Sequence, residues 1–103
     1  MSTHVVLRLI PPRPTFAQDM SDEERGIMTR HAEYWRPEIE AGRMVVFGPV
    51  LDATGAWGIG VLEAESEQAA TELTASDPAV TCGIGRYEIG RLLGGFVRPA
   101  APQ

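Results

Sequence analysis

Cysteine, basic side chains and long hydrophobic runs are all scarce in this sequence of 103 residues. The one cysteine, Cys82, has no second cysteine with which to form an internal disulfide. A chain without disulfides fits a reducing compartment, so we expect a cytoplasmic protein. No apolar run approaches the roughly 20 residues that span a bilayer, and the N-terminus lacks a signal-peptide pattern. We therefore expect no membrane partner.

Positive charge is limited, because nine Lys and Arg residues stand against fourteen Asp and Glu residues, giving a formal net charge of −5. The basic residues are scattered along the chain and form no basic stretch. Proteins that bind nucleic acid usually carry a basic patch, since phosphate contacts supply much of their affinity. The composition therefore argues against a nucleic-acid partner.

Motifs for metals, cofactors and activated nucleophiles are also missing. Two histidines and one cysteine, far apart and without a close second ligand, do not make a zinc site. The sequence has no His-Glu-x-x-His, Gly-x-Ser-x-Gly or Walker motif. The Gly-x-Gly at residues 83–85 precedes a predicted strand, whereas a dinucleotide-binding loop follows one, so it is interpreted as a turn. We expect neither a metal nor a cofactor.

The strongest local pattern is a long amphipathic helix between Ser21 and Gly42. Ser21 and Glu24 have the spacing of a capping box, in which each side chain bonds a free backbone amide of the first turn. Gly42 follows the last periodic residue, as is typical of a helix end. Pro37 removes one backbone donor and crowds the preceding turn, so we expect a kink or a break there.

His31 lies near the middle of the apolar face of this helix. That face is formed by Ile27, Met28, Tyr34, Trp35 and Ile39, which recur at helical spacing. A buried imidazole without a partner costs about 1–3 kcal/mol. His31 therefore needs an acidic or carbonyl partner, or it opens into a cavity. A satisfied core histidine without a function is the alternative interpretation.

The rest of the chain reads as four strands and a second, shorter helix. The predicted strands are residues 4–10, 43–51 with an interruption at 48–49, 56–64 and 84–93, and the predicted helix is residues 67–76. The connection over residues 11–20 is long and proline-rich, which is typical of a pocket wall or lid, and Phe16 is its candidate for covering a pocket. Residues 94–103 are predicted to form a flexible tail.

The predicted order of strand, helix, strand, strand, helix, strand is that of an α+β, ferredoxin-like βαββαβ domain. We expect a single domain over residues 1–103, with both helices on one face of an antiparallel sheet. Trp57, Ile59 and Val61 alternate onto the opposite face and are too apolar to face water. They predict a homodimer that packs sheet face against sheet face.

An ordered set of short segments resembles the YCII-related proteins. The set comprises RHAEYW, EAGRMVVFGPV, Asp52, Gly55, the alternating third strand and Asp77-Pro78, and it covers nearly the whole chain. The resemblance implies a dimeric α+β barrel and a His–Asp pair in a cleft, from which enzymatic activity has been suspected. Carried over, the pair is His31 and Asp77. Family members usually have an aromatic residue after Asp-Pro, where this chain has Ala79, so we expect a wider or differently shaped pocket.

Two carboxylates compete as the partner of His31. In a ferredoxin-like fold the end of the second helix lies near the start of the first, which brings Asp77 toward the first half of the Ser21–Gly42 helix. Asp52, in the predicted hairpin after the second strand, reaches the same edge. Asp77 could instead be only a helix stop, and Asp52 only a turn residue.

Proton transfer is the simplest chemistry that these residues allow. A carboxylate bonded to one imidazole nitrogen fixes the tautomer and stabilises the charged ring, which suits general acid/base catalysis. The first hypothesis is a small cofactor-independent enzyme, of lyase or hydrolase type, acting on a small and partly apolar or aromatic molecule. His31 and Asp77 would be catalytic, and substrate contacts are assigned to Phe16, Tyr34, Trp35 and Asp52. The alternative is a non-catalytic dimeric module that binds a small ligand, and a filled cavity would leave only an assembly scaffold.

Overall fold

The chain folds into a four-stranded antiparallel sheet with helices on one face, as the sequence predicts. The computed structural model describes residues 2–99. Its elements in chain order are β1 (Thr3–Ile10), α1 (Phe16–Asp19), α2 (Asp22–Glu40), β2 (Met44–Asp52), β3 (Gly55–Ala64), α3 (Glu67–Ala75), α4 (Pro78–Thr81) and β4 (Arg86–Arg91). The sheet order is β2-β3-β1-β4. This arrangement confirms the ferredoxin-like α+β prediction.

Capping residues begin the two longer helices, α2 and α3, at the positions that the sequence predicts. Ser21 accepts a hydrogen bond from the Glu24 backbone amide, and the Glu24 carboxylate accepts one from the Ser21 amide, so the capping box is complete. Gly42 has a φ of 80° directly after the helix, a conformation that favours glycine. Ser66 caps α3 by accepting from the Ala69 amide.

Pro37 does not divide the long helix, which continues to Glu40. Proline removes its own amide and leaves the carbonyl four residues earlier, that of Glu33, without its usual donor. Glu33 is exposed, so water can satisfy this carbonyl, and only the last turn follows the proline. The helix therefore loses one hydrogen bond near its end rather than breaking into two.

The second strand also continues through its predicted interruption. Gly48 pairs with Ile59 and Pro49 with Gly58, and the irregularity lies instead between Met44 and Val46. Because β2 is an edge strand, proline can sit in it without removing a ladder hydrogen bond. The predicted fourth strand is shorter in the structure, and the loop before α2 contains one helical turn, α1.

The core lies between the sheet and the helices. Its fully buried members come from β1, α2, β2, β3 and α3: Val5, Leu7, Trp35, Met44, Leu62 and Ala70. Alternate residues of each strand point to this side, as the strand period requires. The same alternation places Val6, Arg8, Trp57, Ile59 and Val61 on the opposite side, which we call the open face. No helix of residues 2–99 covers the open face.

The segment after β4 continues the pairing with β1 for one residue. The Leu92 amide still donates to the His4 carbonyl at 2.8 Å, which extends the pairing with β1 by one residue. Residues 94–99 form no helix or strand and are exposed, and Phe96 is fully so. The remainder of the predicted tail, residues 100–103, lies outside the described residues.

Candidate functional site

The structure pairs His31 with Asp77 across 46 positions of sequence. His31 Nδ1 lies 2.7 Å from Asp77 Oδ2 and 3.0 Å from Oδ1. The two side chains come from the middle of α2 and from the residue that caps α4. His31 is 8% exposed and Asp77 is fully buried, so the hydrogen bond is shielded from water. Such shielding strengthens the interaction between the two groups.

Three further donors converge on the Asp77 carboxylate. Trp35 Nε1 donates to Oδ2 at 2.9 Å, and the Tyr87 hydroxyl donates to the same oxygen at 2.5 Å. The Ala79 backbone amide donates to Oδ1 at 2.9 Å, which is the helix-capping contact of α4. A buried carboxylate is costly unless its oxygens are satisfied, and here both are. Asp77 is therefore held in one orientation from α2, α4 and β4.

These contacts determine the charge states of the site. Burial by itself raises the pKa of the Asp77 carboxyl, but hydrogen bonds from His31, Tyr87, Trp35 and the Ala79 amide outweigh it, and the pKa lies below 3.8. Burial and the neighbouring Asp77 charge raise the pKa of the Tyr87 hydroxyl, which stays protonated. Asp77 is thus an anion that only accepts hydrogen bonds.

An ionised Asp77 also fixes the tautomer of His31. Nδ1 must carry the proton that the carboxylate accepts, so Nε2 is the basic nitrogen of the neutral ring. Within residues 2–99, Nε2 has no hydrogen-bond partner. The Phe47 ring lies against the imidazole, with 5.4 Å between centroids and a 32° tilt. The imidazole is therefore held by Asp77 at Nδ1, and its Nε2 is available to bond a ligand.

His31 lines a cavity of about 350 Å³ between the helices and the sheet. A cavity of this size lies at the small end of the range for ligand pockets, roughly 300–1,000 Å³. Its wall is almost entirely apolar and includes Leu7, Leu9, Met28, Met44, Phe47 and Ile84. Gly58 and Gly60 also line it, where side chains on β3 would meet Leu9, Leu7 and Met44 at 3.3–3.4 Å. The absence of side chains at these two glycines leaves room that forms part of the cavity.

The proline-rich loop forms another wall and is anchored both to the start of α2 and to the β2–β3 hairpin. Arg13 bonds the Asp19 carboxylate at 2.7 Å and the Glu24 carboxylate at 2.8 and 2.9 Å, which ties the loop to the capping box of α2. The Pro14 carbonyl accepts from the Ala56 amide, and a Cβ on Gly55 would lie only 2.7 Å from that carbonyl. Gly55, with a φ of 122°, therefore lets the β2–β3 hairpin pack onto the loop.

The predicted substrate contacts divide into two groups. Phe16 and Trp35 line the cavity. Tyr34 does not, because its hydroxyl donates to the Leu73 carbonyl at 2.7 Å and its ring packs edge-on against Trp35. Asp52 is exposed in the hairpin, where it accepts from Thr54 and from Trp57 Nε1. The geometry favours Phe16 and Trp35 over the other two as ligand contacts.

Two residues of the site were missed by sequence reasoning. Tyr87 faces Asp77 from β4, and Phe47 faces His31 from β2. Strand alternation could have placed Tyr87 on the helix side, because it pairs with Leu9 of β1. Ala79 is fully buried in the cavity wall, at the position where the resemblance leads one to expect an aromatic side chain.

Within residues 2–99, no three His, Cys, Asp or Glu side chains are grouped so that they could hold a metal ion. In the same part of the chain, no helix combines the length and apolarity needed to cross a membrane.

Comparisons with known proteins agree with this fold. Residues 5–92 match the YCII-related domain. The structure is similar to that of 5-chloro-2-hydroxyhydroquinone dehydrochlorinase from Burkholderia phenoliruptrix in complex with 2,5-dihydroxybenzoquinone. The two are 21% identical over 88% of this chain and 95% of the other, with a TM-score of 0.65. That similarity shows a shared fold. No curated protein matches the sequence significantly. Because the family match spans most of its length, the chain belongs to the YCII-related family.

Proposed function

We propose that the protein is a small cofactor-independent enzyme in which His31 is the general acid/base and Asp77 its positioning partner. The observation that carries the proposal is the buried pair itself: Nδ1 is bonded to an ionised carboxylate, while His31 lines an apolar cavity. This geometry leaves Nε2 to exchange a proton with a bound molecule. The substrate is small and apolar or aromatic, because the wall of the cavity is almost entirely apolar.

The chemistry that fits best is a lyase-type elimination. In the keto tautomer of a chlorinated hydroquinone, whose chlorine-bearing carbon also carries hydrogen, Nε2 takes the proton of the remaining O–H group. The electron pair left behind forms a C=O bond, and the adjacent ring C=C pair shifts to form a double bond to the chlorine-bearing carbon. The leaving group departs with its own bonding pair, and the resulting imidazolium is stabilised opposite the Asp77 anion. The dehydrochlorinase with the same fold has a name that describes loss of HCl, which is one reaction of this class.

The test is release of chloride from chlorinated hydroquinones and hydroxyhydroquinones at neutral pH, followed by ion chromatography with quinone absorbance as a second readout. We expect release well above the buffer rate and proportional to enzyme concentration. Saturable binding of these compounds with no release from any of them would favour the non-catalytic binding module instead. The absence of both binding and chloride release would contradict a small-molecule site of this kind.

We propose, in addition, that two copies pair through their open faces to form a dimeric α+β barrel. Val46 on this side of β2 is 47% exposed, and Phe96 after β4 is fully exposed. Arg8 lies over the Trp57 ring at 4.4 Å, and its buried Nε is 3.9 Å from Glu88 Oε1 but has no hydrogen-bond partner among the described residues. Buried donors are usually satisfied, so a second copy that covers the face and supplies an acceptor would account for both features.

Val61→Glu tests the dimer, because it places a carboxylate at the centre of the open face. A two-fold contact would bury two such charges without partners, so we expect a wild-type dimer and a folded monomeric variant. Size-exclusion chromatography with light scattering measures both. Thr71→Glu, an equal change on the exposed side of α3, should leave the mass unchanged. A dimer that survives Val61→Glu, or a monomeric wild type, would contradict the open-face interface.

A further inference from the structure

We infer that the cavity selects an uncharged one- or two-ring molecule that presents a single hydroxyl to His31 Nε2, and that it rejects carboxylates and phosphates. This inference deepens the proposed function and rests on it for the role of Nε2. It is drawn from the chemistry of the cavity wall alone.

The cavity wall contains no charged side chain apart from the imidazole itself. Of its 23 residues, only His31 and Tyr87 are ionisable, and none is Arg, Lys, Asp or Glu. A buried anion needs a cation or several donors to replace its lost hydration. The Asp77 carboxylate behind His31 repels an anion. An anionic ligand would therefore lose its water without gaining a partner.

The polar side chains of the wall are already engaged. Trp35 Nε1 and the Tyr87 hydroxyl both donate to Asp77. Trp57 Nε1 donates to Asp52, away from the cavity. Among the side chains of the wall, Nε2 of His31 is left as the acceptor for a ligand. Nε2 can bond one hydroxyl, and the other side chains of the wall offer a ligand apolar contacts.

The volume sets the size of the molecule. An engineered apolar cavity of about 150 Å³ in another protein holds benzene. The cavity here is about 350 Å³, which admits one substituted ring or two fused rings. Ala79, small and fully buried in the wall, contributes to this space.

The experiment compares three probes that share one chlorinated ring: 4-chlorophenol, chlorobenzene and 4-chlorobenzoate. Dissociation constants are measured on the full chain by NMR titration. We expect 4-chlorophenol to bind best, chlorobenzene to bind about 3- to 10-fold more weakly, and 4-chlorobenzoate to bind at least about 100-fold more weakly than the phenol. Binding of the carboxylate within about tenfold of the phenol, or no saturable binding of the phenol, would overturn the inference.

A gain-of-function variant provides the second arm. Met28→Lys introduces a cation into the wall and should improve 4-chlorobenzoate binding by tenfold or more. Thr29→Lys makes the same charge change one residue later, outside the cavity wall, and should not improve it. Equal gains in both variants would mean a general surface effect and contradict the proposed selectivity.

The two proposals can fail separately in these experiments. If 4-chlorophenol binds as expected but no elimination occurs with chlorinated hydroquinones, the ligand class stands and the enzyme proposal fails. If elimination occurs while the carboxylate binds as well as the phenol, the enzyme proposal stands and the ligand class fails.

Discussion

Replacing His31 with Gln is expected to lower turnover by about 10²- to 10⁴-fold, the usual contribution of a positioned general acid/base. The Gln amide can still donate to the Asp77 carboxylate, so the buried anion keeps a partner. It cannot take up a proton, so the chemical step loses its base. The measurement is kcat/KM for the released leaving group, alongside near-UV circular dichroism to verify packing.

His4→Gln is the matched control for this substitution. His4 is the other histidine of the chain and lies at the start of β1, where it pairs with Glu63 and does not line the cavity. The turnover of the His4→Gln variant should stay within about twofold of that of the wild type. If His31→Gln also keeps its turnover and changes only the affinity for ligand, His31 is a binding residue and the non-catalytic module is the correct function.

Replacing Asp77 with Asn is expected to destabilise the fold by about 2–5 kcal/mol and to lower turnover by about 10²- to 10⁴-fold. The four groups around Asp77 are all donors, whereas an amide has one acceptor oxygen and one donor NH₂. One donor must therefore face another. If the NH₂ faces His31, it forces the proton onto Nε2 and removes the base.

Tyr87→Phe separates the structural effect from the chemical one. It removes one donor to Asp77 and leaves the carboxylate, so we expect a loss of about 1 kcal/mol and turnover within about tenfold of wild type. Urea unfolding of the three proteins gives the free energies, provided that the m-values agree. Equal turnover in wild type and Asp77→Asn would show that Asp77 does not act on the imidazole during catalysis.

The pH dependence of stability follows from the same carboxylate. The folded-state pKa of Asp77 lies below its unfolded value of about 3.8, so ionised Asp77 stabilises the protein above that pH. The stabilisation is lost as the pH falls through the lower, folded-state pKa. The stability difference between wild type and Asp77→Asn should therefore shrink on acidification below about pH 4. A difference that does not change with pH would contradict an ionised Asp77.

Sequence patterns predicted the elements well where their determinants are local. The capping box at Ser21 and the helix end at Gly42 each involve neighbours within about four residues, and both are observed. The break considered at Pro37 and the interruption predicted at Gly48-Pro49 do not occur. Whether a proline breaks an element depends on which carbonyls are exposed and on whether the strand lies at an edge, and only the assembled sheet determines this.

By itself, the sequence determined that an imidazole must lie on the apolar face of α2 and that α3 would end at Asp77-Pro78. The first follows from helical periodicity, and the second from the restriction that proline places on the backbone of the residue before it. Only the tertiary structure decided that Asp77 rather than Asp52 meets His31, that Tyr87 and Trp35 complete the site, and that the space beside it is open. The reason is that these contacts join α2, α4 and β4, and their distances are set by how the elements pack and not by any local pattern.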